Sequence, residues 1–241
     1  MLLAAAEAPV TGAVATPAGA VAAPEDDFVD EYASAGSEVS DPFERVNRTM
    51  FKVNNSLYDR VFHPIADGYD AVVPALARRG IRSFFDNVHY PVRLLGCVMQ
   101  GKFNRAAAET GKFVVNTTVG VAGFIKFSDR FPRLRVPAED VGQSFGVWGI
   151  KHGPFLVLPV FGPSSVRDGI GRIGDYYASP THWRFLKHYD WEIRYGITTL
   201  ETISSLPEIL ATYDALRKAS IDPYVAFRNG YLQYRDGQVK E

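Results

Sequence analysis

Cys97 is the sole cysteine in 241 residues, which excludes an intrachain disulfide and an all-cysteine metal site. The histidines at 63, 89, 152, 182 and 188 show no tight ligand spacing, so a metal site is not expected. No apolar run approaches the ~18 residues that a single bilayer-spanning helix needs. Residues 1–41 contain no Lys or Arg at all. The chain therefore does not open with the basic stretch of a signal peptide, although Leu2 through Ala6 are compatible with the tail of a truncated one. No nucleic-acid motif or Lys/Arg run is present.

What remains is a foldable composition with a displaced charge balance. Hydrophobic residues make up 46% and aromatics 13% of the chain, enough for a packed core, with aromatics suited to core, interface or membrane-boundary positions. Residues 42–241 carry 26 bases against 19 acids, a net of +7. Such a body suits an anionic surface such as phospholipid head groups. Scattered bases equally describe an ordinary soluble surface.

The first 40 residues read as a flexible segment and linker. Pro9, Pro17 and Pro24 interrupt an Ala/Val/Gly-rich stretch, and an acidic Ser/Gly stretch follows it. A folded domain is expected over 41–235, with a polar tail at 236–241. Asp41-Pro42-Phe43-Glu44 is a helix start, with Asp41 as cap and Glu44 completing a capping box. Phe43, Val46, Met50, Val53, Leu57 and Val61 then recur at spacings of three and four, a helical stripe ending near His63-Pro64. Asn47, Asn54 and Asn55 add unusual polarity to it. Further helices are predicted at about 74–87, 91–100, 103–119, 189–205, 207–219 and 223–234. The run Phe155 to Phe161, bounded by Gly-Pro pairs, reads as extended, and Ser164 or Ser165 caps the next helix. The fold class is mainly α with a small β-hairpin-like element.

Four short motifs imitate functional signals. Gly142-Gln143-Ser144-Phe145-Gly146 matches a nucleophile elbow, which requires a strand before it and a helix after it. The preceding Val136 to Asp140 look instead like a capped helix start. Gly169-Ile170-Gly171-Arg172-Ile173-Gly174 matches a dinucleotide fingerprint but lacks its β-α-β surroundings, so its glycines are expected to serve close helix packing. Gly96 to Lys102 resembles a phosphate loop, but Phe103 stands where a Ser or Thr is required. Leu94-Leu95-Gly96-Cys97 mimics a lipoprotein cleavage box in mid-domain, and Cys97 is read as a small buried residue.

Several blocks together resemble the VacJ/MlaA family of outer-membrane phospholipid-transport lipoproteins. They are Asp41 to Phe51, Phe113 to Gly120 with Gly123-Phe124, Glu139 to Gly149, Gly153 to Pro159 with Gly162 to Asp168, and Asp222 to Arg228. The resemblance spans about 41–235 in the family's order. It implies a ring of amphipathic helices lying in the periplasmic leaflet of the outer membrane of a Gram-negative bacterium, enclosing an amphipathic channel. Phospholipid would pass through it from the outer leaflet toward a periplasmic carrier of the Mla pathway, with a trimeric porin as the membrane partner. No enzyme activity and no cofactor are implied. The family's N-terminal lipidated cysteine is not evident in this sequence.

The candidate lipid-channel and gating residues are Asn47, Phe51, Trp148, Gly149, Lys151, Gly153, Pro154, Phe155, Leu156 and Leu158. Val147 to Leu158 is expected to form a hairpin-like loop beside the lipid path. The glycines loosen it, Pro154 denies a helix, and Lys151 and His152 sit at its tip. Two other classes stay open from the residues alone: a soluble periplasmic scaffold, and a serine esterase using Ser144.

Overall fold

A computed structural model describes residues 41–182 and 191–241. The linker expected over 1–40 lies outside the described residues, as does the start of the helix expected at 189. Among the described residues the architecture is mainly α with one two-stranded antiparallel hairpin, as the sequence leads one to expect.

The first helix, α1 (Glu44–Leu57), starts two residues later than the sequence places it: Phe43, not Asp41, is the N-cap residue, and no side chain caps it. Asp41 Oδ1 accepts from the Phe43 amide at 3.1 Å. Glu44 does not complete a capping box. It reaches forward one turn to Arg48 instead, at 2.7 Å; Glu44 follows the N-cap residue directly, and the Asp41 carboxylate is held by Asn47 Nδ2 at 2.9 Å and by the Tyr224 hydroxyl.

The helix also does not stop at His63-Pro64. A π turn, Tyr58–Phe62, carries the chain directly into α2 (His63–Val72). Proline lacks an amide proton and its ring crowds the carbonyl four residues back. The wider turn, closed by the His63 amide on the Tyr58 carbonyl, accommodates both defects without ending the helix. Three helices follow near their expected positions: α3 (Ala75–Val88), α4 (Tyr90–Met99) and α5 (Phe103–Thr118). Short 3-10 turns lead to α6 (Val141–Val147).

The hairpin is β1 (Phe155–Leu158) paired with β2 (Gly162–Ser165), in register Phe155↔Ser165 and Leu158↔Gly162. The expected hairpin over Val147 to Leu158 is therefore displaced. Val147 closes α6, the stretch 149–154 is irregular, and the turn falls at Pro159 to Phe161. At that turn Val160 has φ 69°, a left-handed conformation costly for a β-branched residue. Its amide donates to Asn54 Oδ1 at 2.8 Å and its carbonyl accepts from the Tyr58 hydroxyl at 3.2 Å. Tertiary bonds thus hold the strained residue in place.

Ser165 caps α7 (Val166–Ala178) by accepting from the Asp168 amide. Beyond it α8 (Trp191–Ala219) runs straight through Pro207, where two helices were expected. Leu206, Ile209, Leu210 and Tyr213 on either side of the proline are all buried, so core packing holds the helix together across it. The last helix, α9 (Pro223–Lys240), is capped by Asp222 and continues past 235, so most of the expected polar tail is helical.

The core is an aromatic cluster where α1, β1, α8 and α9 meet. Phe51, Tyr58, Phe155, Tyr213, Tyr224 and Phe227 are buried together, with Phe51–Phe227 centroids 5.5 Å apart and Tyr58–Tyr213 4.6 Å apart. Tilted and edge-on contacts of this kind add to the area they bury.

Candidate functional site

Helix α7 is inverted relative to an ordinary surface helix. Its buried face carries Arg167, Asp168, Gly171 and Asp175. Val166, Ile170, Ile173 and Tyr177, at spacings of four, three and four, face outward. Ile173 is 59% exposed while Asp168 is 4% exposed. Water favours the opposite arrangement, since an apolar stripe gains by leaving it. The neighbouring surface continues the pattern with Val147, Trp148, Ile150 and Phe161, and with Leu95 and Val98 on α4, all exposed. Apolar side chains exposed on several neighbouring elements point to contact with a membrane or a partner. Among the described residues no helix is long and apolar enough to cross a membrane.

The polar face of α7 is affordable because its charges are paired. The Arg235 guanidinium from α9 contacts Asp140 at 2.7 and 3.0 Å and Asp168 at 2.9 and 3.0 Å. Arg167 Nε and the Tyr231 hydroxyl donate to the same Asp168, at 2.9 and 2.6 Å. Burial alone would raise the Asp168 carboxyl, but its bonds to Arg235, Arg167 and Tyr231 outweigh that and hold it well below the usual carboxylate range. Asp175 accepts from the Val141 amide at 3.0 Å. Burial, with the Asp140 charge beside it, pushes its carboxyl up to about 7.

This network joins the two glycine motifs. A Cβ on Gly171 would lie 2.5 Å from both the Cα and the N of Gly142, and one on Gly174 would lie 2.9 Å from Val141. The glycines bring α6 and α7 into backbone contact, as the sequence suggests for Gly171 and Gly174. Gly169 has room. Ser144 lies inside α6, fully buried. Its Oγ lies 3.3 Å from the Gly96 carbonyl and 3.1 Å from the Asp140 carbonyl. Main-chain carbonyls are not bases that activate a hydroxyl, and no strand precedes it, so the geometry of a nucleophile elbow is absent. Cys97 is also fully buried, and burial pushes its thiol up to about 11.

The candidate residues separate into two groups. Asn47, Phe51 and Phe155 are buried in or beside the aromatic core, with Leu156 and Leu158 half-buried on the other face of β1. The polarity of α1 is spent on the hairpin. Asn47 Nδ2 donates to the Phe155 carbonyl and its Oδ1 accepts from Val157, both at 2.9 Å.

Trp148, Gly149, Lys151 and Gly153 sit on the exposed loop, leading through half-buried Pro154 into β1. Gly149 and Gly153 have φ of 87° and 68°, which suits glycine. The Trp148 indole donates to the Met99 carbonyl at 3.0 Å, fixing the loop to the end of α4. Gly149, Lys151 and Gly153 line an open pocket of about 450 Å³ with His152, Arg167 and Asp236. Arg167 and Asp236 were missed by the sequence reading. The only signal for them was an Arg-Asp pair following a capping serine and an acid in what looked like a tail.

Comparison with known proteins agrees with this architecture. A family model described as MlaA lipoprotein matches residues 39–238. The intermembrane phospholipid transport system lipoprotein MlaA of Escherichia coli is 31% identical over 210 residues, covering 85% of this chain and 81% of that protein. Its Haemophilus influenzae counterpart is 29% identical over 207 residues, with the same coverage of each chain, 85% and 81%. A solved structure concerned with the maintenance of bacterial outer-membrane lipid asymmetry superposes with a TM-score of 0.68 at 29% identity. It covers 83% of this chain and 99% of its own.

Proposed function

The chain belongs to the MlaA lipoprotein family, and on that premise we propose that it transports phospholipid between bacterial envelope membranes and so maintains outer-membrane lipid asymmetry. In this reading it takes phospholipid from the outer leaflet of the outer membrane and passes it toward a periplasmic carrier of the Mla pathway. A trimeric porin is its membrane partner. It works by binding and release, without covalent chemistry or a cofactor.

The inverted helix α7 is the single observation that carries this reading. Ile170, Ile173 and Tyr177 face outward while Arg167, Asp168 and Asp175 are buried. This arrangement is stable where hydrocarbon replaces water on the outer face. Short amphipathic elements of this kind suit a protein lying in one leaflet. The loop from Trp148 to Pro154, with Leu156 and Leu158 behind it, flanks the lipid path. Asn47, Phe51 and Phe155 support the path from the core.

The test uses cells lacking the endogenous protein and a double variant, Ile170→Lys with Ile173→Lys. Both positions are exposed, so folding survives. Wild type should restore a low outer-leaflet phospholipid level, read with a membrane-impermeant probe, and should copurify with phospholipid from detergent. The double variant should lose membrane association and fail to restore asymmetry. If it performs like wild type, the outer stripe does not meet hydrocarbon and the reading falls.

A further inference from the structure

The pocket beside the loop combines an unfilled guanidinium donor with unpaired charges of both signs at its rim. Arg167 has a side chain only 3% exposed. Its Nε is engaged by Asp168, but its Nη2 is buried with no hydrogen-bond partner among the described residues. Its Nη1 lies next to Gly146, where an added Cβ would come within 2.9 Å. Both residues line the pocket. A buried guanidinium with idle donors is costly unless something fills them.

At the rim, Lys151 is exposed and forms no ion pair or hydrogen bond among the described residues. Asp236, one turn from the end of α9, is likewise exposed and unpaired there. The loop is held against the base of the pocket, because the Arg167 amide donates to the His152 carbonyl at 3.2 Å. His152 Nδ1 is 2.7 Å from the Gly153 carbonyl, which can only accept, so Nδ1 carries the proton.

Two cations and one separate carboxylate around one pocket match a ligand that carries both charges. We propose that this pocket binds a phosphate ester bearing a nearby primary ammonium. Arg167 and Lys151 receive the phosphoryl oxygens and Asp236 receives the ammonium. A guanidinium at the base supplies directed donors to phosphate. Lys151 adds a point charge, and Asp236 discriminates against head groups that lack an amine. A pocket of about 450 Å³ is roomy enough for such a group but not for its acyl chains, which would extend onto the apolar surface of Trp148 and Ile150.

This chemistry is that of an ethanolamine phospholipid head group, or of the free head-group ester. The proposal rests on the transport reading only for naming a lipid as the source.

The test is calorimetric titration of the whole purified protein with glycerophosphoethanolamine and with glycerophosphoglycerol, which lacks the amine. Dihexanoyl phosphatidylethanolamine below its micellar concentration is then used as competitor. Glycerophosphoethanolamine should bind saturably and more tightly than glycerophosphoglycerol. Lys151→Gln should weaken both by about fivefold, the scale of one exposed charge pair, and less at high salt. Asp236→Asn should remove the preference while leaving glycerophosphoglycerol unchanged or tighter. Both substitutions are at exposed positions, so loss of folding does not cloud the outcome.

Displacement by the short-chain lipid identifies the lipid head group as occupant. Binding of the soluble ester without displacement assigns the free ester. No saturable binding of glycerophosphoethanolamine at millimolar concentration, or binding indifferent to both variants, overturns the pocket. A protein that restores lipid asymmetry yet binds neither ester overturns the pocket alone. One that binds but restores nothing overturns the transport reading alone.

Discussion

Asn47 and Asn54 stand two turns apart on α1, and each side-chain amide grips the hairpin backbone in the manner of a neighbouring strand. Asn47 brackets the Phe155 carbonyl and the Val157 amide. Asn54 brackets the Leu158 carbonyl and the Val160 amide, at 2.9 and 2.8 Å. A two-stranded hairpin is marginal by itself. Here the free edge of β1 is satisfied by a helix.

Asn47→Ala should therefore destabilise the protein by about 2–4 kcal/mol, because two buried backbone groups lose their partners and become costly. Urea unfolding followed by circular dichroism measures this. A change below about 0.5 kcal/mol, the level of an ordinary surface substitution, would mean the amide does not hold the strand.

Gly171→Ala and Gly169→Ala should behave oppositely. The first places a methyl 2.5 Å from the Gly142 backbone and should cost about 1–3 kcal/mol by forcing α6 and α7 apart. The second meets nothing nearer than the Ser164 hydroxyl at 4.0 Å. It should be neutral or stabilise by up to about 1 kcal/mol through helix propensity. Equal melting temperatures for the two variants would contradict the packing role.

Ser144→Ala should keep the protein working. It removes bonds worth about 0.5–1.5 kcal/mol, and complementation of an outer-membrane permeability defect should survive. A serine-directed phosphonate should leave the wild-type protein unlabelled. A well-folded Ser144→Ala protein with no complementation would reopen the esterase reading.

Asp175 makes the stability depend on pH near neutrality. Its folded carboxyl, pushed up to about 7 by burial and by Asp140, lies above the ordinary 3.8. Its contribution is thus complete below about pH 4 and is lost as the pH rises through 7. Asp168 works in the reverse sense, adding stability above the ordinary range that is lost only in strong acid. Asp175→Asn keeps an acceptor for the Val141 amide without a charge. It should match wild type below about pH 4, gain in melting temperature relative to it as the pH rises from there to about 7, and keep that gain at pH 8. Parallel curves across that range would show that the carboxyl does not titrate there.

The helices were largely legible because apolar residues at spacings of three and four, capping Asp140, Ser165 and Asp222, and terminal glycines are local signals. The misjudged boundaries at Pro64 and Pro207 have a common cause. Proline's local penalty was outweighed by contacts far along the chain, through Tyr58 in the first case and Leu206 to Tyr213 in the second. The polar face of α1 was legible as an oddity, but its use was not, because Asn47 meets Phe155 across 108 residues.

By itself the sequence determined the helical periods, the extended run at Phe155, the family blocks and the failure of the enzyme motifs. Each depends on residues close together in the chain. Only the tertiary structure decided which side of α7 faces inward. A 3.6-residue period marks Val166, Ile170, Ile173 and Tyr177 as one stripe and Arg167, Gly171 and Asp175 as another, but is silent on which stripe is buried. Arg235 settled that, arriving from the far end of the chain to neutralise Asp140 and Asp168. Burying the charged stripe then became cheap enough to leave the apolar one outside.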